Sequence, residues 1–105
     1  MPKSPHHPDL GDVQLARLLS ALGDPARLAI ISVLADRAEH QREDFSVSLG
    51  PSTVSHHMRI LREAGLTLHR FEGTRCFVSL REDTLDRFSA ALTGILEALD
   101  TIDTH

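Results

Sequence analysis

Leu10, Val13, Leu15, Leu18, Leu19 and Leu22 follow helical spacing, which predicts a first helix stopped by Gly23. Asp24-Pro25 then predicts the start of a second helix. Aspartate can cap the free amides there, and proline at the first helical position loses no hydrogen bond. That helix is expected over about 25–38 and should bury Leu28, Ile31 and Leu34. Between it and Gly50-Pro51 there is room only for a short helix, around Glu43 to Val47. A longer helix follows, with Ser52 as its expected N-cap and Gly65 as its left-handed C-cap. Two alternating runs, "LTLHRF" and "CFVSL", flank "EGTR" and predict a β-hairpin turning at Gly73. The stretch from about Glu82 to Asp100 predicts a last helix. Ahead of all this, "MPKSPHHP" has three prolines in eight residues and is expected to be a flexible arm over 1–8, with one domain over 9–105.

The order helix, helix, short helix, helix, hairpin, helix is that of a winged helix-turn-helix, a mainly α fold with a small β-hairpin. The helix from Ser52 to Gly65 carries the chemistry. At 100° per residue, Val54, His57, Met58, Leu61 and Ala64 share one face, and that face should be buried. Ser52, Ser55, His56, Arg59 and Glu63 share the other, with Arg62 on the flank. A small, polar and basic face suits a DNA major groove, where hydroxyls approach the backbone closely and arginine pairs with guanine. His56 and His57 point about 100° apart and cannot share a metal ion without unwinding the helix. His57 is therefore expected at the core margin with one ring nitrogen bonded, and His56 is expected to contact a phosphate or a base. Arg70 and Arg75, on either side of the hairpin turn, could lie along a phosphate backbone.

Charge supports a polyanion partner once its distribution is considered. The 105 residues carry a formal net charge of −4. Residues 52–81 nonetheless hold five basic and two acidic side chains, whereas 82–105 hold Arg87 against six acidic groups. Double-stranded DNA would be drawn to the middle of the chain. The single cysteine, Cys76, excludes an internal disulfide and suits a reducing cytoplasm; it is expected to be a buried strand residue. No apolar run approaches membrane-spanning length and no secretory signal is visible. Scattered histidines without an H-x-x-x-H spacing argue against a metallohydrolase, so no enzyme is expected.

"LSALGDPARLAIISVLAD", "PSTVSHHMRILREAGL" and "RFEGTRCFVSL" together resemble the ArsR/SmtB family of bacterial winged-helix transcriptional regulators. The resemblance covers about residues 16 to 80. It implies a homodimer that binds an imperfect palindrome, often under control of a metal ion or another small stress signal. By position it places Ser52, Thr53, Ser55, His56 and Arg59 on the recognition helix, and Arg70 to Arg75 on the wing. Two ligand sets of metal-sensing members have no counterpart here. "EHQREDF" lacks paired cysteines, and the last helix has no histidine before His105.

Leu85, Phe88, Leu92, Ile95, Leu99 and Ile102 recur at spacings of three and four, the pattern of a coiled-coil-like seam. With Leu15 and Leu18 of the first helix, they predict a homodimer interface; a stripe that covers the chain's own hairpin and second helix is the alternative. Two recognition helices about 34 Å apart would then meet successive major grooves. If a metal is sensed, His6, His7 and Asp9 of the arm and His105 of the tail, with Asp100 and Asp103 beside it, are the expected ligands, and His40 with Glu43 or Asp44 is another set. Imidazole and carboxylate suit nickel or zinc. The other readings are a regulator answering to a non-metal effector, and a winged helix retained for protein contacts through its acidic last helix. Steep salt dependence of binding would separate DNA from such docking.

Overall fold

Residues 6–45 and 50–103 are described by a computed structural model, the side chains of Pro51, Ile102 and Asp103 excepted. Leu10–Asp12 form a 3-10 turn, followed by α1 (Leu15–Ala21) and α2 (Pro25–Leu34). A two-residue strand β1 (His40–Gln41) leads into a second 3-10 turn, Arg42–Phe45. Then come α3 (Pro51–Ala64), the hairpin β2 (Thr67–Glu72) and β3 (Arg75–Leu80), α4 (Glu82–Arg87) and α5 (Ser89–Asp103). This is a winged helix-turn-helix, with β2–β3 as the wing.

Local chemistry explains the element boundaries. The Asp24 carboxylate accepts from the amides of Ala26 at 2.8 Å and Arg27 at 3.2 Å, so α2 starts where expected. These bonds hold its pKa below the usual carboxylate range. α2 stops at Leu34, earlier than its pattern suggested. Arg37 adopts a left-handed φ of 66°, and Asp36 turns back to accept the Ala38 amide. The first helix is also shorter than its leucine spacing implied. Val13 leaves the helical path in an extended conformation and is buried against Gly65. A Cβ on Gly65 would lie 2.6 Å from Val13 Cγ2, and Gly65 has φ 96°, so two constraints require glycine at this one position. The amides of Gly65 and Leu66 bond back to the carbonyls of Arg62 and Leu61, closing α3 as a Schellman motif.

Three expectations need correction. Gly50, not Ser52, occupies the N-cap of α3, and Pro51 takes the first helical position, placing Ser52 inside the first turn. The sheet has three strands in the order β1-β3-β2, because His40 and Gln41 pair antiparallel with Val78 and Phe77. The last helix is broken at Phe88 (φ −114°, ψ 39°), where the Arg87 guanidinium stands over the ring and donates to the Leu10 carbonyl. The short helix expected around Glu43 begins as the 3-10 turn and otherwise falls outside the described residues, as do His105 and the side chain of Ile102.

The core joins all layers. Leu18, Ile30, Leu34, Val54, Leu61 and Val78 are fully enclosed. The leucines of the last two helices enter the same core: Leu85, Leu92 and Leu99 are buried, with Phe88, Ile95 and Leu96 packed against them. No helix among the described residues is long and apolar enough to cross a membrane.

Candidate nucleic-acid interface

α3 divides along its length as its pattern requires. Val54, His57, Met58, Leu61 and Ala64 are buried, whereas Ser52, Thr53, Ser55, His56, Arg59 and Glu63 are exposed and Arg62 is intermediate. His57 sits at the core margin, its Nδ1 3.3 Å from the Arg27 guanidinium of α2. Arg27 in turn donates through Nε to the Ala21 carbonyl, so one arginine ties α1, α2 and α3 together. The exposed face of α3 is thereby set on a fixed base.

A groove of about 440 Å³ runs between α3 and the wing. Ser52, Ser55, His56, Arg59 and Arg62 line it from α3, with Met58. His69, Phe71 and Cys76 line it from the sheet, and Arg42 from the 3-10 turn. β2 and β3 pair in register from Thr67↔Leu80 to Glu72↔Arg75, so His69, Phe71 and Cys76 share one sheet face. Among the described residues, the groove lining has three guanidinium groups and no carboxylate. Arg42 was not among the expected contacts. It lies before the basic block, and only the fold carries it to α3, where it donates to Ser55 Oγ.

The wing arginines differ. Arg70 donates to Glu39 at 2.7 and 2.8 Å, pairs with Glu72 at 3.2 Å and stacks 4.7 Å from the Phe77 ring centroid. These carboxylates raise its pKa, and the same contact lowers that of Glu39. Much of its charge is compensated within the chain. Arg75 stands exposed at the turn, opposite Glu72, and has no ion-pair partner among the described residues. The turn is the two-residue Gly73-Thr74, with a positive φ at Gly73, where a type II′ turn calls for glycine.

The described end of the arm is pinned to the body. Arg62 donates to the His6 carbonyl at 3.1 Å, Arg81 to that of Pro8 at 2.6 Å, and the His69 amide to His7 Nε2 at 3.0 Å. β2 is an edge strand, so the His7 ring covers an amide that no neighbouring strand could satisfy. His69 is buried, bonded to Thr67 Oγ1 at 2.9 Å; burial, then the Arg62 charge, lower its pKa to about 3. Burial also lowers that of His7.

These bonds bear on metal binding. His7 Nε2 already accepts the His69 amide, and no three His, Cys, Asp or Glu groups converge among the described residues. His6, His7 and Asp9 therefore do not fit a metal ion as they stand. His40 Nε2 is likewise held by Asp36 at 2.9 Å. Cys76 is a buried strand residue whose thiol pKa is raised by burial.

Comparison with known proteins follows the same lines. The profile of the bacterial regulatory protein, arsR family, matches residues 24–66, which span α2 through α3. The chain is 39% identical over 87 residues to the HTH-type transcriptional regulator YceK of Bacillus subtilis, itself uncharacterized, covering 80% of this chain and 84% of that one. It belongs to the ArsR family. It is also 32% identical over 94 residues to the HTH-type transcriptional regulator CmtR of Mycobacterium bovis, covering 89% and 80% of the two chains. Among solved structures, it is similar to the homodimeric winged helix-turn-helix DNA-binding domain Mb0332 of Mycobacterium bovis, described as a possible ArsR-family regulator. The TM-score is 0.64 and the identity 27%, over 79% of this chain and 78% of that one. This ArsR-family chain is thus a transcriptional regulator with a DNA-binding winged helix-turn-helix, not an enzyme.

Proposed function

We propose that the chain is a cytoplasmic homodimer that binds a palindromic operator sequence-specifically. Ser52, Thr53, His56, Arg59 and Arg62 of α3 act in the major groove, Ser55 lies on the same face, and Arg75 and Arg70 meet the flanking backbone. The observation that carries this reading is the exposure of Arg59 and its polar neighbours on a helix whose opposite face is anchored in the core. Fluorescence anisotropy with a labelled operator duplex tests it. Arg59→Ala should weaken binding by about 1–3 kcal/mol if Arg59 pairs with a base. Unchanged affinity would remove Arg59 from the interface.

Leu15 and Leu19 of α1 are 43% and 48% exposed, an apolar pair that a second copy would cover. Ile95 and Leu96 of α5 are half-buried and could extend that surface, and the homodimeric state of Mb0332 supports it. Leu18, Leu85, Leu92 and Leu99 already serve the chain's own core, so the seam reads as a shared one: its buried members hold α5 to the body and its margin meets the partner. A nickel or zinc response would require ligands from His105 or from a second copy joining the arm. Calorimetric titration with Ni²⁺ and Zn²⁺ tests that, and absence of heat at micromolar protein would end the nickel or zinc reading.

A further inference from the structure

The fold adds a charge to the α3 face that the sequence pattern assigns elsewhere. Arg42 belongs to the 3-10 turn after β1, and that turn is tied through β1 to β3 of the wing. Its guanidinium donates to Ser55 Oγ on the outer face of α3 and lines the groove with Ser52, His56, Arg59 and Arg62. One of its five N–H donors is directed to Ser55; a guanidinium fork is suited to the oxygens of a phosphodiester. Among the described residues no carboxylate lines the groove, and the amides that an α-helix leaves open in its first turn add partial positive charge nearby.

We propose that Arg42 binds a backbone phosphate of DNA and that Ser55 is its positioning residue rather than an independent contact. This rests on the reading that α3 enters the major groove. The hydroxyl of Ser55 holds a long, rotamer-rich side chain in one place before DNA arrives, so less freedom is lost on binding. The ligand chemistry is an anionic phosphodiester, so the contact adds affinity without sequence preference.

The experiment uses the full chain and two duplexes of equal length, one selected by the protein from a random-sequence library and one unrelated. Affinity is measured by anisotropy over a salt series for wild type, Arg42→Ala, Arg42→Lys, Ser55→Ala, the Arg42→Ala/Ser55→Ala double variant and Arg59→Ala. Arg42→Ala should weaken both duplexes by a similar factor, and the slope of log affinity against log salt should become shallower by about 1. Arg42→Lys should keep the slope, which also covers the case of an alanine variant that folds poorly. Ser55→Ala should weaken binding in the wild-type background and change nothing in the Arg42→Ala background. An unchanged slope for Arg42→Ala, a loss confined to the selected duplex, or additive effects of the two alanines overturns the proposal. If these occur while Arg59→Ala still weakens the selected duplex, the major-groove reading survives and only Arg42 is misassigned. A wild-type chain that binds neither duplex overturns both.

Discussion

Lowering the pH from 8 to 5 should destabilise this chain through one buried imidazole. His69 is 6% exposed, bonded to Thr67, and its native pKa is lowered to about 3, chiefly by burial and then by Arg62, His7 and Arg42. In the unfolded chain the same ring titrates near its ordinary value of about 6.5. Between these values the unfolded state binds a proton that the native state does not, so stability falls as pH falls. At pH 5 the two pKa values give a loss of about 2 kcal/mol relative to pH 8, against a typical total of about 5–15 kcal/mol. His7, whose pKa is also lowered, contributes with the same sign. Asp36, Glu39 and Asp83 are held low by His40, Arg70 and Arg81 respectively, and their stabilisation is lost only below about 4. Urea unfolding at pH 8, 6.5, 5.5 and 5 measures the slope, and the difference between wild type and His69→Gln isolates this ring. NMR titration should find the His69 imidazole neutral at pH 5. A His69 ring that titrates near 6.5, with equal slopes for the two proteins, would refute the burial argument.

Three further outcomes are expected. Gly65→Ala should destabilise by about 2–4 kcal/mol in thermal or urea unfolding, since it adds left-handed strain to a Cβ driven into Val13. Thr84→Val should stabilise by about 1 kcal/mol, because Thr84 Oγ1 is buried and has no hydrogen-bond partner among the described residues; an unfolding midpoint that drops would point to a bound water or another partner. Leu19→Glu should shift the dimer toward monomer by at least tenfold in sedimentation experiments with little change in monomer fold, since Leu19 is 48% exposed.

The α3 faces were legible because a 14-residue helix repeats its buried face often enough for the period to average out single exceptions such as His57. The hairpin was legible from alternation around Gly73. β1 was not, since two residues carry no period and its pairing with β3 is wholly tertiary. The break at Phe88 has neither glycine nor proline to announce it. Ser52 misled as an N-cap because Gly50 carries no side-chain cap to compete with it in a sequence pattern, while Pro51 takes the first helical position. Spacing in the last helix identified apolar positions correctly but could not say which chain they would touch, as the same stripe serves a core or a partner. Arg42 lay beyond any local pattern: its role depends on where the turn after β1 is carried.

That small strand has a mechanical consequence. Because His40 and Gln41 pair with Val78 and Phe77, Arg42 at the start of the following turn is carried with the wing, and its bond to Ser55 braces the wing against α3. In the proposed dimer, what an effector would have left to change is the spacing between two such braced bodies, on which their simultaneous match to the pitch of the duplex depends.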